Sequence, residues 1–186
     1  MREFIYWNAT WVLIPMALAG VLHMFVVRFN LGGNLAAPIW SKGFGPHKTW
    51  RGILAMAVFG ALGVTLLAGL SPSVPLPVAP WWWGGGLGLV YVVAELPNSW
   101  IKRRMGIPPG EQSARHPVLS GAADKLDSAL LGALVLATWV HVEPAEFRFG
   151  PEVRFFSVFA SSLVLNSGIH ALLSWLLVVV QLKKRF

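Results

Sequence analysis

Five apolar stretches, each close to the roughly 20 residues a helix needs to cross a bilayer, constrain this chain more than any other feature. They run over residues 9–27, 53–70, 83–101, 122–142 and 155–182. Backbone polar groups in hydrocarbon must be satisfied within the segment, so runs of this length are expected to be helices. The expected fold is all-α, a polytopic membrane protein of about five transmembrane helices forming one integral-membrane domain over residues 1–186. Composition agrees: 55% of the residues are hydrophobic and 12% charged, against about 25% charged in a soluble domain. The first residues, Met1, Arg2 and Glu3, lead into apolar sequence with no small-residue cleavage site, which reads as a span and not a signal peptide.

The connecting segments differ in charge. Residues 30–51 carry Lys42, Lys48 and Arg51, residues 102–121 carry Lys102, Arg103, Arg104 and Arg115, and the tail carries Lys183, Lys184 and Arg185. Residues 71–82 are proline-rich and uncharged, and 143–154 are mixed and slightly acidic. Basic short loops face the cytoplasm. The amino terminus is therefore expected outside and the carboxyl terminus inside, in a multi-pass protein of the inner (cytoplasmic) membrane with its polar loops on the cytoplasmic face. The net charge of +7 is assigned to topology and to anionic phosphate ligands, not to nucleic acid, because no nucleic-acid motif is present. No cysteine is available for disulfide, thiolate or nucleophile chemistry. Trp81, Trp82 and Trp83 read as an interfacial aromatic belt, and Gly84 with Gly88 as a close helix-packing motif.

Only eight carboxylates occur. Glu3, Glu143, Glu146 and Glu152 fall on the outer side and Glu111 in the third loop, leaving Glu95, Asp124 and Asp127 in or beside apolar sequence. A carboxylate within a span costs about 2.5–3.5 kcal/mol on insertion scales, so each calls for a reason. Asp124 and Asp127 lie in D-K-L-D-S, where the spacing of three puts both on one helix face. Such a pair suits a divalent cation shared with phosphate oxygens and water. The alternative is ordinary stabilisation of a helix amino terminus.

The first loop reads F-G-P-H-K-T-W-R-G over 44–52, offering Lys48, Thr49 and Arg51 between glycines, a composition suited to polyphosphate. The third span ends in A-E-L-P-N-S-W-I-K-R-R over 94–104. There Pro97 frees the carbonyl of Val93 and is expected to kink the helix. Glu95, Asn98 and Ser99 precede the cationic Lys102, Arg103 and Arg104. Paired carboxylates beside dense cationic groups are the makings of a metal-dependent phosphate site. His23, His116, His141 and His170 form no close ligand pair in sequence and read as structural, while His47 adjoins Lys48 in the phosphate-type loop.

The ordered set K-T-W-R-G, N-S-W-I-K-R-R and D-K-L-D-S, with N-L-A-A-P at 34–38, resembles the CDP-archaeol synthase family, relatives of the CDP-diacylglycerol synthases. The resemblance covers about residues 34–128 by motif. It implies a CTP:lipid-phosphate cytidylyltransferase that uses Mg2+ and releases pyrophosphate, forming a CDP-lipid for phospholipid biosynthesis; its partners would be CTP, a membrane lipid phosphate and the bilayer, and it is compatible with a homodimer. Carried over by motif, Asp124 and Asp127 would hold the metal; Glu95 is a candidate third group, on the metal or in its outer shell. Lys102 would act at the reacting phosphate. Lys48, Thr49, Arg51, Asn98, Ser99, Arg103 and Arg104 would bind substrate. The chain departs from the archaeal pattern at Pro46 and His47, in E-L-P-N-S, and around His170, which is followed by Ser174 and preceded by Asn166. These departures look like a bacterial branch. A CDP-alcohol phosphotransferase is set aside, since it needs four Asp where this chain has two. A non-catalytic lipid-binding or transport protein is the reading from another class.

Overall fold

The computed structural model describes residues 1–70, 76, 78–142 and 153–180. Glu143, Glu146, Glu152, the basic tail and the end of the fifth apolar block lie outside these residues. The described residues form five long helices and no β-strand beyond an isolated bridge between Pro38 and Thr49. We label them α1 (Arg2–Arg28), α2 (the short Ser41–Phe44), α3 (Trp50–Leu70), α4 (Pro80–Arg104), α5 (Pro117–Val142) and α6 (Phe155–Val179). Each apolar block of the sequence thus becomes one helix. Arg2–Arg28, Trp50–Leu70 and Phe155–Leu176 are long and apolar enough to cross a membrane, and α5 holds a shorter apolar stretch, Leu126–His141. Helix α4 has the length, but its last turns carry Glu95, Asn98 and the Lys102–Arg104 cations.

The outward faces are apolar. Leu66 is 67% exposed and Val164 71% exposed, with Leu18, Leu62, Val93 and Leu134 also exposed on their helices. Water would penalise a surface of this kind, whereas lipid tails match it. The chain is a polytopic, all-α membrane protein.

Helix α3 packs against both α4 and α1, α5 against both α4 and α6, and α1 also touches α6. The closest approach lies between α3 and α4. A Cβ at Gly84 would meet the Gly60 carbonyl oxygen at 2.1 Å, and one at Gly88 the Met56 carbonyl oxygen at 2.2 Å. Gly84 and Gly88 therefore serve the close packing that their spacing predicts.

At the end remote from the basic loops, Phe4, Trp7, Trp11, Leu87, Leu136 and Val158 form the core. Trp7 stacks on Trp139 at 5.1 Å, and Trp83 meets both edge-on at 5.5 and 5.0 Å. Trp81 and Trp82 are exposed and stacked on each other at 4.1 Å. Trp83 turns inward instead, and its reason is chemical. Pro15 has no N–H to give to the carbonyl four residues back, that of Trp11. Trp83 Nε1 donates to that carbonyl at 3.2 Å, just where α1 loosens into a π-helical turn over Ala9–Leu13. Helix α4 continues unbroken through Pro97.

The alternative reading of Asp124 and Asp127, as stabilisers of a helix amino terminus, is set aside. Helix α5 starts at Pro117, so both aspartates stand well past its first turn. Capping and the helix dipole act within that first turn and do not account for them.

Candidate active site

Asp124 and Asp127 face α4, and one residue there joins them. Asn98 Nδ2 donates to Asp124 Oδ1 at 2.8 Å and to Asp127 Oδ2 at 3.1 Å. One turn further along α4, Lys102 Nζ donates to both Asp124 oxygens, at 3.1 and 2.8 Å. Asp127 Oδ1 accepts the Ser128 backbone N–H at 2.7 Å. The i, i+4 face of α4 and the i, i+3 face of α5 thus close into a four-residue polar cluster. The Lys102 side chain is 12% exposed and that of Asp124 38%, so the cluster opens to solvent on the aspartate side.

The donor set fits a hard divalent cation. Two carboxylates on one face supply oxygen ligands, and an ion such as magnesium retains several waters and takes only one or two carboxylates from protein. Glu95 lies close enough for its charge to act on Asp127, but its direct partner is a lysine. It forms an ion pair with Lys48 across the α3–α4 boundary. Among the described residues, no group of three or more His, Asp or Glu side chains is placed to hold a metal ion together.

The other predicted residues separate into distinct roles. Thr49 Oγ1 accepts the Gly52 N–H at 3.3 Å and so caps α3, leaving its neighbour Lys48 at the helix mouth. Arg51 is tied to the preceding turn: its Nη1 donates to Asn30 Oδ1 at 2.8 Å and to the Leu31 carbonyl at 3.1 Å, where Asn30 has φ 49°. Arg103 Nη2 donates to the Pro108 carbonyl at 3.1 Å, while its Nε and Nη1 are buried without a partner among the described residues. The Arg104 guanidinium lies 5.1 Å from the centre of the Trp100 ring. Ser99 is half-buried on α4 and makes no hydrogen bond to another described side chain.

A cavity of about 320 Å3 opens next to the cluster. Lys48, Glu95, His47 and Thr49 line it, and Ser128, next to Asp127, forms part of its wall. His23, Tyr91, Asn166, His170 and Ser174 also line it, together with a majority of apolar side chains. These polar residues were not assigned to the site from the sequence. For Asn166, His170 and Ser174 the signal was a spacing of four, which puts them on one face of one helix.

The arrangement places an oxygen-ligand pair, several cations and an amphiphilic cavity at one end of the bundle. Proteins with related sequence carry a consistent description. The chain is 31% identical over 135 residues to proteins named phosphatidate cytidylyltransferase from Brucella abortus, Brucella suis and Brucella melitensis, a match covering 66% of this chain and 47% of theirs. The match thus spans about half the length of these curated relatives. No family model and no solved structure matches the chain.

Proposed function

We propose that this protein transfers a cytidylyl group from CTP to a membrane lipid phosphate, giving a CDP-activated lipid of the CDP-archaeol or CDP-diacylglycerol type and pyrophosphate. The observation that carries the reading is the joining of Asp124 and Asp127 by Asn98 and Lys102 at the edge of an amphiphilic cavity. Its support is distant similarity to proteins named phosphatidate cytidylyltransferase. The site is proposed to face the cytoplasm of the inner membrane, where CTP is available.

In this reaction an oxygen of the lipid phosphate attacks the α-phosphorus of CTP. A new P–O bond forms as the bond to the β-phosphate oxygen breaks, and pyrophosphate leaves with that electron pair. The attacking phosphate is already ionised near neutral pH, so the chain needs no strong general base. Asp124 and Asp127 would hold Mg2+, which when bound supplies Lewis-acid charge stabilisation to phosphate oxygens. Lys102 is adjacent and offers its ammonium to the reacting phosphate, and Arg103 has two guanidinium nitrogens unclaimed by the described residues. Lys48 at the cavity mouth holds the acceptor phosphate. Asn98 keeps the two carboxylates in register.

Purified protein incubated with labelled CTP, magnesium and a panel of lipid phosphates should yield a labelled CDP-lipid. Asp127→Asn should abolish the product while leaving the protein folded in detergent. Full activity in that variant would sink the assignment. The cavity alone favours a second reading, lipid binding without catalysis. That reading predicts lipid-phosphate binding with no CTP-dependent product in the same assay.

A further inference from the structure

A line of polar groups leads down the cavity away from the Lys48–Glu95 pair. Tyr91 lies one turn before Glu95 on α4, about 6 Å further from the basic end. Its ring is 6.0 Å from that of His170 in edge-on contact. Asn166 is one further turn along α6, about 6 Å deeper again, and both α6 residues line the cavity. The Asn166 amide is half-buried, and its nitrogen would sit 3.8 Å from a Cβ at Gly132. It makes no hydrogen bond to another described residue, whereas much of the surrounding wall is apolar, including Val12, Met16 and Leu173.

An amide at this depth in an apolar helix costs free energy unless a partner in the protein or in a cavity satisfies it. A lipid phosphate held at Lys48 supplies that partner. A few bonds below its phosphate lie the glycerol oxygens and their chain linkages, and below those the apolar chains. An ester linkage presents a carbonyl oxygen, a good acceptor for an amide N–H. An ether linkage has no carbonyl and leaves the donor poorly satisfied.

We infer that Asn166, with His170 beside it, recognises the ester linkages of the acceptor lipid, so that the cavity selects diacyl over dialkyl glycerol phosphates. This deepens the proposed cytidylyltransferase reading and rests on it. The selectivity resides in binding, before any transfer.

The test measures binding of diacyl and dialkyl glycerol phosphates of equal chain length to the full chain in detergent, without CTP, and binding of labelled CTP separately. The wild type should bind the diacyl form about tenfold more tightly, the scale of one hydrogen bond. Asn166→Leu, which keeps the side-chain volume, should bring the two lipids to within about twofold while CTP affinity stays the same. Asn166→Ala serves as the second variant and should erase the preference likewise. Equal wild-type binding of the two lipids, a preference that survives both substitutions, or a loss of CTP binding in either variant would overturn the inference. A diacyl preference that disappears in the variants, with no CDP-lipid formed by the wild type, would uphold this inference and reject the transferase reading.

Discussion

Lys102 on α4 donates to both carboxylate oxygens of Asp124 on α5, at 3.1 and 2.8 Å. The ammonium therefore sits against the oxygens that a bound cation would use. Charge balance at the aspartate pair is divided between Lys102 and whatever else reaches Asp124. Lys102→Met should reduce CDP-lipid formation by about a hundredfold, the scale seen when one preorganised charge partner of a reacting oxyanion is removed. Its effect on thermal unfolding in detergent should be small, about 1 kcal/mol or less, because Asp124 is 38% exposed and retains Asn98. A large loss of stability with activity preserved would make Lys102 a structural tie only.

Glu95 supports a sharper discrimination. Its direct ion pair is with Lys48, so it should influence chiefly how the acceptor is held. Glu95→Gln should raise the KM for lipid phosphate several-fold and leave the magnesium dependence of the rate where it was. In a cycle with Lys48→Met the two effects should be non-additive by about 1 kcal/mol, as expected of residues in direct contact. A shifted magnesium requirement in Glu95→Gln would instead make Glu95 part of the metal site.

The sequence carried the helices and the main polar residues for a simple reason: length and hydropathy act locally, and a spacing of three or four residues decides which side chains share a face. Asp124 with Asp127, and Asn98 with Lys102, were each legible as one face of one helix. That the two faces meet was not, because it depends on how α4 is rotated against α5. The same limit applies to Arg51 and Glu95. Arg51 lies in the phosphate-type loop and Glu95 ahead of the cations that end α4, and only tertiary contact ties Arg51 to the Asn30–Leu31 turn and Glu95 to Lys48. Trp83 was hidden differently. Its inward turn answers a carbonyl left open by Pro15, a residue far from it in sequence.

The α3–α4 contact should be intolerant at Gly88 and indifferent nearby. A Cβ there meets the Met56 carbonyl at 2.2 Å, and backbone cannot step aside as a side chain can. Gly88→Leu should cost about 3 kcal/mol or more and should lower activity as well, since spreading the helices pulls Glu95 from Lys48. Gly86→Leu is the control. Nothing lies within 4 Å of a Cβ at Gly86, so both stability and turnover should remain near wild type. Thermal unfolding and CDP-lipid assays on the two variants decide the point, and equal effects at the two positions would refute the packing argument.

The tie between Trp83 and the Trp11 carbonyl is the remaining test, and it separates a hydrogen bond from mere ring packing. Trp83 Nε1 donates at 3.2 Å to an acceptor that Pro15 leaves without its helical partner. Trp83→Phe keeps an aromatic ring against Trp7 and Trp139 but removes the donor, and should destabilise the fold by about 1–3 kcal/mol. Pro15→Ala in the same background supplies an N–H four residues along α1, able to take up that carbonyl if the π-helical turn relaxes. The double variant should therefore recover part of the loss in thermal unfolding. If Pro15→Ala recovers nothing, the cost of Trp83→Phe belongs to the aromatic cluster, and the inward turn of Trp83 would be driven by ring contact alone.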